Sequence, residues 1–158
     1  MSPKEKITDE MRSFIGIKTE PKSYIVEKHS IQHFASAIGE SNKLYFDEKY
    51  ATEKVGGILA PPTFIRLFKP NKLKKKFPDS FSNLVDGGSS YTFHEKIFVG
   101  DEISVVSQLK NLFIKEGSMG DMMFKIFLTT YTNQKKILVA EQEITTIYYG
   151  KGEKTFLS

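Results

Sequence analysis

The sequence predicts a single α+β domain in which a curved antiparallel sheet wraps a short helix. Three observations carry that reading. Apolar residues recur at helical spacing only before Pro70. Period-two alternation begins near Leu84 and runs almost to the end. No repeat or linker separates the two regions, and the one biased run is Lys72–Lys76 (KLKKK). At 158 residues the chain reads as one domain, 1–158, with its core over about 22–149.

Ile7, Met11, Phe14 and Ile15 recur at helical intervals behind Thr8 or Asp9 as a cap. A first helix is therefore expected over Ile7–Ile17, stopped by Glu20–Pro21. Lys22–Lys28 reads as a short strand. Ser30 caps a second helix with the stripe Ile31, Phe34, Ala35 and Ile38, and Gly39 ends it. Glu40–Phe46 is irregular, and Asp47 caps a polar turn of helix through Lys54. Gly56–Gly57 permit a bend. Pro61–Pro62 opens a further helix, because proline at the first helical position gives up no hydrogen bond. Its stripe is Phe64, Leu67 and Phe68, and Pro70 stops it.

The β region starts with the alternation Ser89–Phe98, followed by a turn at Val99–Glu102. Ile103–Ile114 is a long strand whose apolar face switches near Lys110–Asn111. One extra residue there, a β-bulge, accounts for the switch. Gly117–Asp121 is a hairpin turn, Met122–Thr132 a strand, Asn133–Lys136 a turn and Ile137–Tyr149 the last strand. Gly150–Ser158 is expected to fray. Such a sheet needs a cover, and the helix from Pro62 to Lys69 is the most apolar element available. An edge strand and some sheet surface stay open, so dimerisation is expected.

Composition narrows the function. The net charge of +4 comes almost entirely from lysine; Arg12 and Arg66 are the sole arginines. A nucleic-acid binder spends arginine on phosphates and base edges, so this excess reads as a solubilising surface and no nucleic-acid partner is expected. Cysteine is absent, which excludes disulfides, thiolate zinc sites and cysteine nucleophiles and fits a cytoplasmic protein. No apolar run approaches the roughly 18 residues of a spanning helix, and Met1–Lys6 leads into no secretory apolar region. No membrane association is expected. Neither G-x-x-x-x-G-K-[ST] nor G-x-G-x-x-G occurs, so nucleotide cradles are not indicated. His29 and His33 stand four apart but lack a third ligand nearby, and no metal is expected.

Four segments, in order, resemble the MaoC-like dehydratase family. They are Phe34–Asp47 (FASAIGESNKLYFD), Ile58–Phe64 (ILAPPTF), Asp86–Asp101 (DGGSSYTFHEKIFVGD) and Tyr131–Asn133 (YTN). More narrowly, the chain is similar to the N-terminal, non-catalytic type of hot-dog domain in (R)-3-hydroxyacyl dehydratases, from about Lys22 to Tyr149. The resemblance implies a hot-dog fold and the reversible hydration of trans-2-enoyl thioesters of coenzyme A or acyl carrier protein. It implies no cofactor beyond the coenzyme A or phosphopantetheine that the substrate itself carries.

The family's catalytic motif, G-D-x-N-P-L-H, reads here Gly39-Glu40-Ser41-Asn42-Lys43-Leu44-Tyr45. Hydration moves a proton at the α-carbon and a hydroxyl at the β-carbon, so two acid/base groups must face one small volume. Glu40 keeps the carboxylate. Tyr45 replaces the imidazole with a phenol that titrates near 10 and is a poor base at neutral pH. Catalytic relatives also aim backbone N–H groups at the thioester oxygen from a His-Gly where Ala60-Pro61-Pro62 stands here. Proline has no N–H, so a donor must come from Thr63, Phe64 or elsewhere. Related two-subunit enzymes pair such a domain with a partner holding the intact Asp/His. The resemblance thus implies a homodimer, or a heterodimer with a catalytic MaoC-like subunit, in which this chain shapes the acyl tunnel.

Each candidate has a plainer alternative. Tyr45 is a packed aromatic, a pocket wall or, at its substituted dyad position, a direct catalytic group, and Glu40 a solvated carboxylate or a residual acid/base. Asn42 makes a local turn bond or orients the loop over substrate. His94 is a satisfied surface histidine or a substitute acid/base. Pro62, Thr63 and Phe64 are substrate-binding positions by resemblance. Gly87 and Gly88 form a turn or let a phosphopantetheine arm approach bare backbone. Lys72–Lys76 is a solvated loop or docks an acidic carrier or phosphates. Phe113, Phe124 and Phe127 read as core. Three functions follow: a non-catalytic dehydratase subunit, a self-sufficient enoyl-CoA hydratase using Glu40, and a non-enzymatic acyl-CoA-binding module.

Overall fold

Four long strands set the architecture. They are β2 (Phe81–Phe93), β3 (Glu102–Gly117), β4 (Gly120–Thr132) and β5 (Leu138–Lys151). With the short β1 (Lys22–Ile25) they form one antiparallel sheet in the order β1-β3-β4-β5-β2. The computed structural model describes residues 7–78, 81–118 and 120–151. Met1–Lys6, Met119 of the hairpin turn and residues 152–158 of the expected tail lie outside them; Gly150 and Lys151 still belong to β5.

Alternation turns one side chain in two towards a single face, and on that face Ile103, Val105 and Leu109 of β3, Met123 and Tyr131 of β4 and Ala140 of β5 are buried. The face change within β3 has the expected cause: the register with β4 shifts between Leu109 and Asn111, so Leu112 returns to the buried side. Two hydrophobic clusters cover this face. In one, Phe64, Ile65 and Phe68 join Val26, Ile31, Ala51 and Ile58 over Val105 and Tyr131. In the other, Met11, Phe14 and Phe81, with Leu73 and Phe77, pack over Leu109, Leu112 and Met123. This is the hot-dog architecture, an antiparallel sheet curled about a short helix.

Several local expectations yield to tertiary pairing. The first helix, α1, spans only Asp9–Arg12, although Thr8 does cap it, its Oγ1 accepting from the Met11 N–H at 3.1 Å. Ile15 and Lys18 leave the helix to bridge Leu109 and Gln108, and the Thr19 N–H donates to the Ser107 carbonyl. An open edge of β3 outcompetes a marginal helix of low nucleation probability. The second helix, α2 (Lys28–Ala37), starts after Glu27, not Ser30, and Ile38 falls at its exposed C-cap. The irregular segment contains a short helix, α3 (Lys43–Phe46), and Asp47 caps α4 (Glu48–Val55) by accepting from the Tyr50 N–H.

The proline-initiated helix is a 3-10 helix, Pro62–Leu67. Ile65 and Phe68, three apart, align on its buried side beside Phe64, whereas Leu67 turns to solvent. The strand expected over Ser89–Phe98 is displaced. β2 ends at Phe93, and Ile97–Val99 pairs instead with Ile58–Ala60 through Ala60 N–H to Ile97 carbonyl and Val99 N–H to Ile58 carbonyl. Gly87 and Gly88 are not a turn before the strand but a bulge inside β2, where Gly88 has φ +111° and its N–H donates to the Asp86 carboxylate. A Cβ on Gly87 would stand 2.9 Å from Thr145 Cγ2. Phe113 and Phe124 stack on each other at 5.0 Å on the face opposite the core, while Phe127 packs partly buried against the second cluster.

Phe64→Ala should cost about 3–5 kcal/mol, because Phe64 is 1% exposed in the first cluster. Leu67→Ala should stay within roughly 0.5 kcal/mol. Urea midpoints of the two variants check which side of the helix carries the fold; equal losses would contradict this packing.

Candidate functional site

The segment that carries the motif positions is held from both ends. Gly39 closes α2 in the left-handed region at φ +76°, and the Glu40 N–H donates to the Ala35 carbonyl. Asn42 then caps α3, its Oδ1 accepting from the Leu44 N–H at 3.0 Å, so its side chain is engaged in a local turn bond. The Leu59 N–H donates to the Leu44 carbonyl at 3.0 Å, which lays Leu59–Pro62 beside Tyr45. On the other side the chain leaves β2 at His94, whose N–H donates to the Val139 carbonyl.

These elements enclose a cleft of about 540 Å³ lined by Tyr45, Leu59, Pro61, Pro62, Phe93, His94 and Lys96. Three candidate residues therefore meet: Tyr45, Pro62 and His94. Burial, and secondarily the Glu40 carboxylate, push the Tyr45 phenol above its ordinary value. At neutral pH it is a proton donor, not a base. Glu40 is exposed and acts on Tyr45 through its charge without lining the cleft. His94 Nε2 lies 2.9 Å from Glu141 Oε2, so a carboxylate orients the ring. Glu141 stands opposite Thr92 in the β2–β5 register, and its contact with His94 bridges 47 residues, which no local pattern reveals.

Other candidates stand elsewhere. Phe64 is core, and its N–H is taken by the Pro61 carbonyl at 2.9 Å. Pro62 has no N–H, and the Thr63 N–H sits in the first turn, where backbone donors lack a partner inside the helix. Gly87 and Gly88 lie in the β2 bulge outside the cleft. The His29 and His33 rings are 6.3 Å apart, and among the described residues no group of three or more His, Cys, Asp or Glu is placed to hold a metal. No helix among them is long and apolar enough to cross a membrane.

A larger cavity of about 610 Å³ opens on the same sheet face, between Leu109, Phe127 and Ile144 and the irregular segment Pro70–Phe77. It shares no lining residue with the cleft. A hydrogen-bonded row separates the two: Tyr131 Oη donates to Gln142 Oε1 at 2.8 Å, and Gln142 Nε2 donates to Tyr91 Oη at 2.7 Å.

The model of the FAS1-like dehydratase domain region matches residues 13–142, which span the first cluster and the whole cleft. The chain belongs to this family. Its sequence relatives include a UPF0336 protein of Parafrankia sp. (strain EAN1pec), 29% identical over 148 residues, covering 88% of this chain and 94% of that protein. Another is named "Probable enoyl-CoA hydratase alpha subunit", from Thermomonospora curvata, 26% identical over 132 residues that cover 71% of this chain and 41% of the relative. Among solved structures, the ChsH1-ChsH2 complex from Mycobacterium tuberculosis superposes with TM-score 0.76 at 18% identity, covering 93% of each chain. The C-terminally truncated HadBC (3R-hydroxyacyl-ACP dehydratase) complex from the same organism gives TM-score 0.67 at 19% identity, covering 85% of this chain and 96% of that one. A MaoC-like dehydratase from Rhodospirillum rubrum gives 0.66 at 17% identity, covering 88% and 94%. At such identities the structural likeness is one of fold. Within the FAS1-like dehydratase region family, this chain thus has a MaoC-like hot-dog fold and a phenol at the position where the motif has an imidazole.

A pH titration of the Tyr45 Cζ resonance should give a midpoint above the ordinary tyrosine value of about 10. Glu40→Gln should lower that midpoint only in part, because burial is the larger cause. A midpoint below the ordinary value would refute this account of the cleft.

Proposed function

We propose that this chain is the acyl-thioester-binding, non-catalytic subunit of an (R)-3-hydroxyacyl-CoA or -ACP dehydratase (enoyl hydratase), acting in the cytoplasm beside a subunit that carries the intact Asp/His pair. One observation carries the reading: the group at the imidazole position is a phenol whose surroundings move it further from neutrality. Removing an α-proton needs a base populated near the working pH, and raising an already high pKa lowers that population. A neutral phenol can still donate a hydrogen bond to a thioester or hydroxyl oxygen, which suits binding without proton abstraction. The prolines at the start of the 3-10 helix act in the same direction by thinning the donors available to a developing oxyanion.

The partner reading has independent support. β2 is an edge strand, and Asn83–Ser90 is exposed along it, leaving backbone groups open to another chain. The ChsH1-ChsH2 and HadBC proteins of similar fold are themselves complexes. A homodimer uses the same edge. The self-sufficient hydratase keeps one observation in its favour: His94, oriented by Glu141, lines the cleft that Tyr45 lines, while Glu40, the alternative acid/base, reaches Tyr45 through its charge. A purely acyl-CoA-binding module would keep the cleft and lose chemistry in every combination.

Crotonyl-CoA hydration by the purified chain, followed through loss of the enoyl chromophore, separates these. The isolated chain should run at least about a hundred-fold below its complex with an Asp/His-bearing partner, the span general acid–base catalysis supplies. Turnover by the chain alone that disappears in Glu40→Gln or His94→Gln would overturn the subunit reading in favour of the self-sufficient enzyme. Acyl-CoA binding with no turnover alongside any Asp/His-bearing homologue would favour the module.

A further inference from the structure

Two polar atoms on the wall of the Tyr45 cleft are left unused by the protein. The first is the Tyr45 hydroxyl. Tyr24 donates its hydroxyl to the Lys69 carbonyl at 2.7 Å, Tyr131 donates to Gln142, and Tyr91 accepts from Gln142. Among the described residues the hydroxyl of Tyr45 has no such partner, and burial keeps the phenol in its protonated, donating form. The second atom is Nδ1 of His94. A carboxylate only accepts, so the proton of the 2.9 Å contact between His94 Nε2 and Glu141 Oε2 sits on Nε2. In the neutral ring Nδ1 is then an acceptor. β5 fixes backbone and ring together: the Val139 carbonyl accepts from the N–H groups of His94 and Glu95, at 2.9 and 3.2 Å, and Glu141 on the same strand holds the imidazole. Leu59, Pro61, Pro62 and Phe93 give the cleft its hydrocarbon, while Glu95 and Lys96 occupy exposed positions.

The cleft therefore offers one donor and one acceptor in an otherwise largely apolar wall. A ligand hydroxyl satisfies both at a single atom, its oxygen accepting from Tyr45 and its hydrogen going to His94 Nδ1. An alkene or a methylene satisfies neither. Building on the thioester reading, we propose that Tyr45 and His94 bind the 3-hydroxyl of the acyl chain between them and so select the 3-hydroxyacyl thioester over its enoyl and saturated counterparts. Glu141 is the positioning residue, acting through the tautomer of His94. A subunit with this preference loads the hydroxylated substrate and lets the enoyl product go, without taking a proton from carbon itself. Specificity built on hydroxyl partners discriminates well, because the analogue that lacks the hydroxyl leaves both protein groups unpaired.

Isothermal titration of the full chain at pH 8 with (R)-3-hydroxybutyryl-CoA, crotonyl-CoA and butyryl-CoA tests this, with circular dichroism to verify the fold of each variant and nitrogen NMR to read the His94 tautomer. The hydroxy ester should bind at least about ten-fold more tightly than either of the others, the worth of two modest hydrogen bonds. Tyr45→Phe should cut that ratio to about three-fold, since one of the two bonds is lost. Glu141→Gln should release the Nε2–H tautomer of His94 and lower the ratio in parallel. A Glu141 that only supports the fold would change all three affinities together and leave tautomer and ratio in place, which would remove it from the proposal's mechanism and overturn its role. The wild-type ratio and tautomer test the idea without any variant. Equal binding of the hydroxy and saturated esters, or an Nδ1–H tautomer in the wild type, would overturn the inference while the thioester reading stands; failure of all three esters to bind the folded chain would overturn both.

Discussion

One face of a long, curled antiparallel sheet must be kept from water, and the elements available to do it are short. Everything else in the molecule follows from that constraint. Apolar burial contributes about 25 cal/mol per Å², and the buried face of β3, β4 and β5 is wide enough that neither a six-residue 3-10 helix nor the four-residue α1 covers it alone. Two separate clusters share the work, one under α2 and the 3-10 helix, the other under the N-terminal segment and Leu73–Phe77. Where their coverage stops, cavities remain. The cleft at Tyr45 and the cavity under the lysine-bearing segment are the two unfilled ends of one surface.

Polar groups on this face are accommodated, not avoided. Tyr131 is buried and its phenol is held well above the ordinary range, chiefly by that burial, yet its hydroxyl donates to Gln142. A buried donor without that acceptor would be costly, so the Tyr131–Gln142–Tyr91 row is self-consistent only as a set. Lys125 is buried at 3% exposure, its Nζ 3.6 Å from the Phe77 ring centroid and 4.0 Å from that of Tyr148. Aromatic faces stabilise a cation that has lost much of its water. The same contact fastens the roofing segment to β4 and β5.

The strands were legible because their evidence is local. Period-two alternation, the phase slip at Lys110 and the Asn133 turn each reside within a dozen residues, and the register of β3 with β4 shifts where the pattern says it must. Asn42 and Asp47 were legible as caps for the same reason. The failures share a different cause. Ile7–Ile17 has the spacing of a helix, but its second half gains more by bridging the edge of β3. Ser89–Phe98 alternates throughout, but its partner on β5 runs out, and Ile97–Val99 finds Ile58–Ala60 instead. Phe113 and Phe124 carry core composition but fall on the outer side of a bulged strand.

By itself the chain's order of residues determined the fold class, the strand sequence and the bulge, since backbone geometry imposes those periods and spacings on any short window, while the place of Tyr45 at a motif imidazole came from the family resemblance. Only the tertiary structure decided that His94 and Glu141 are partners, that Lys125 is buried between rings, and that Gly87 lies against Thr145. Those contacts depend on which strands neighbour each other and in what register. That choice is made by burying a whole sheet face at once, and no window of sequence contains it.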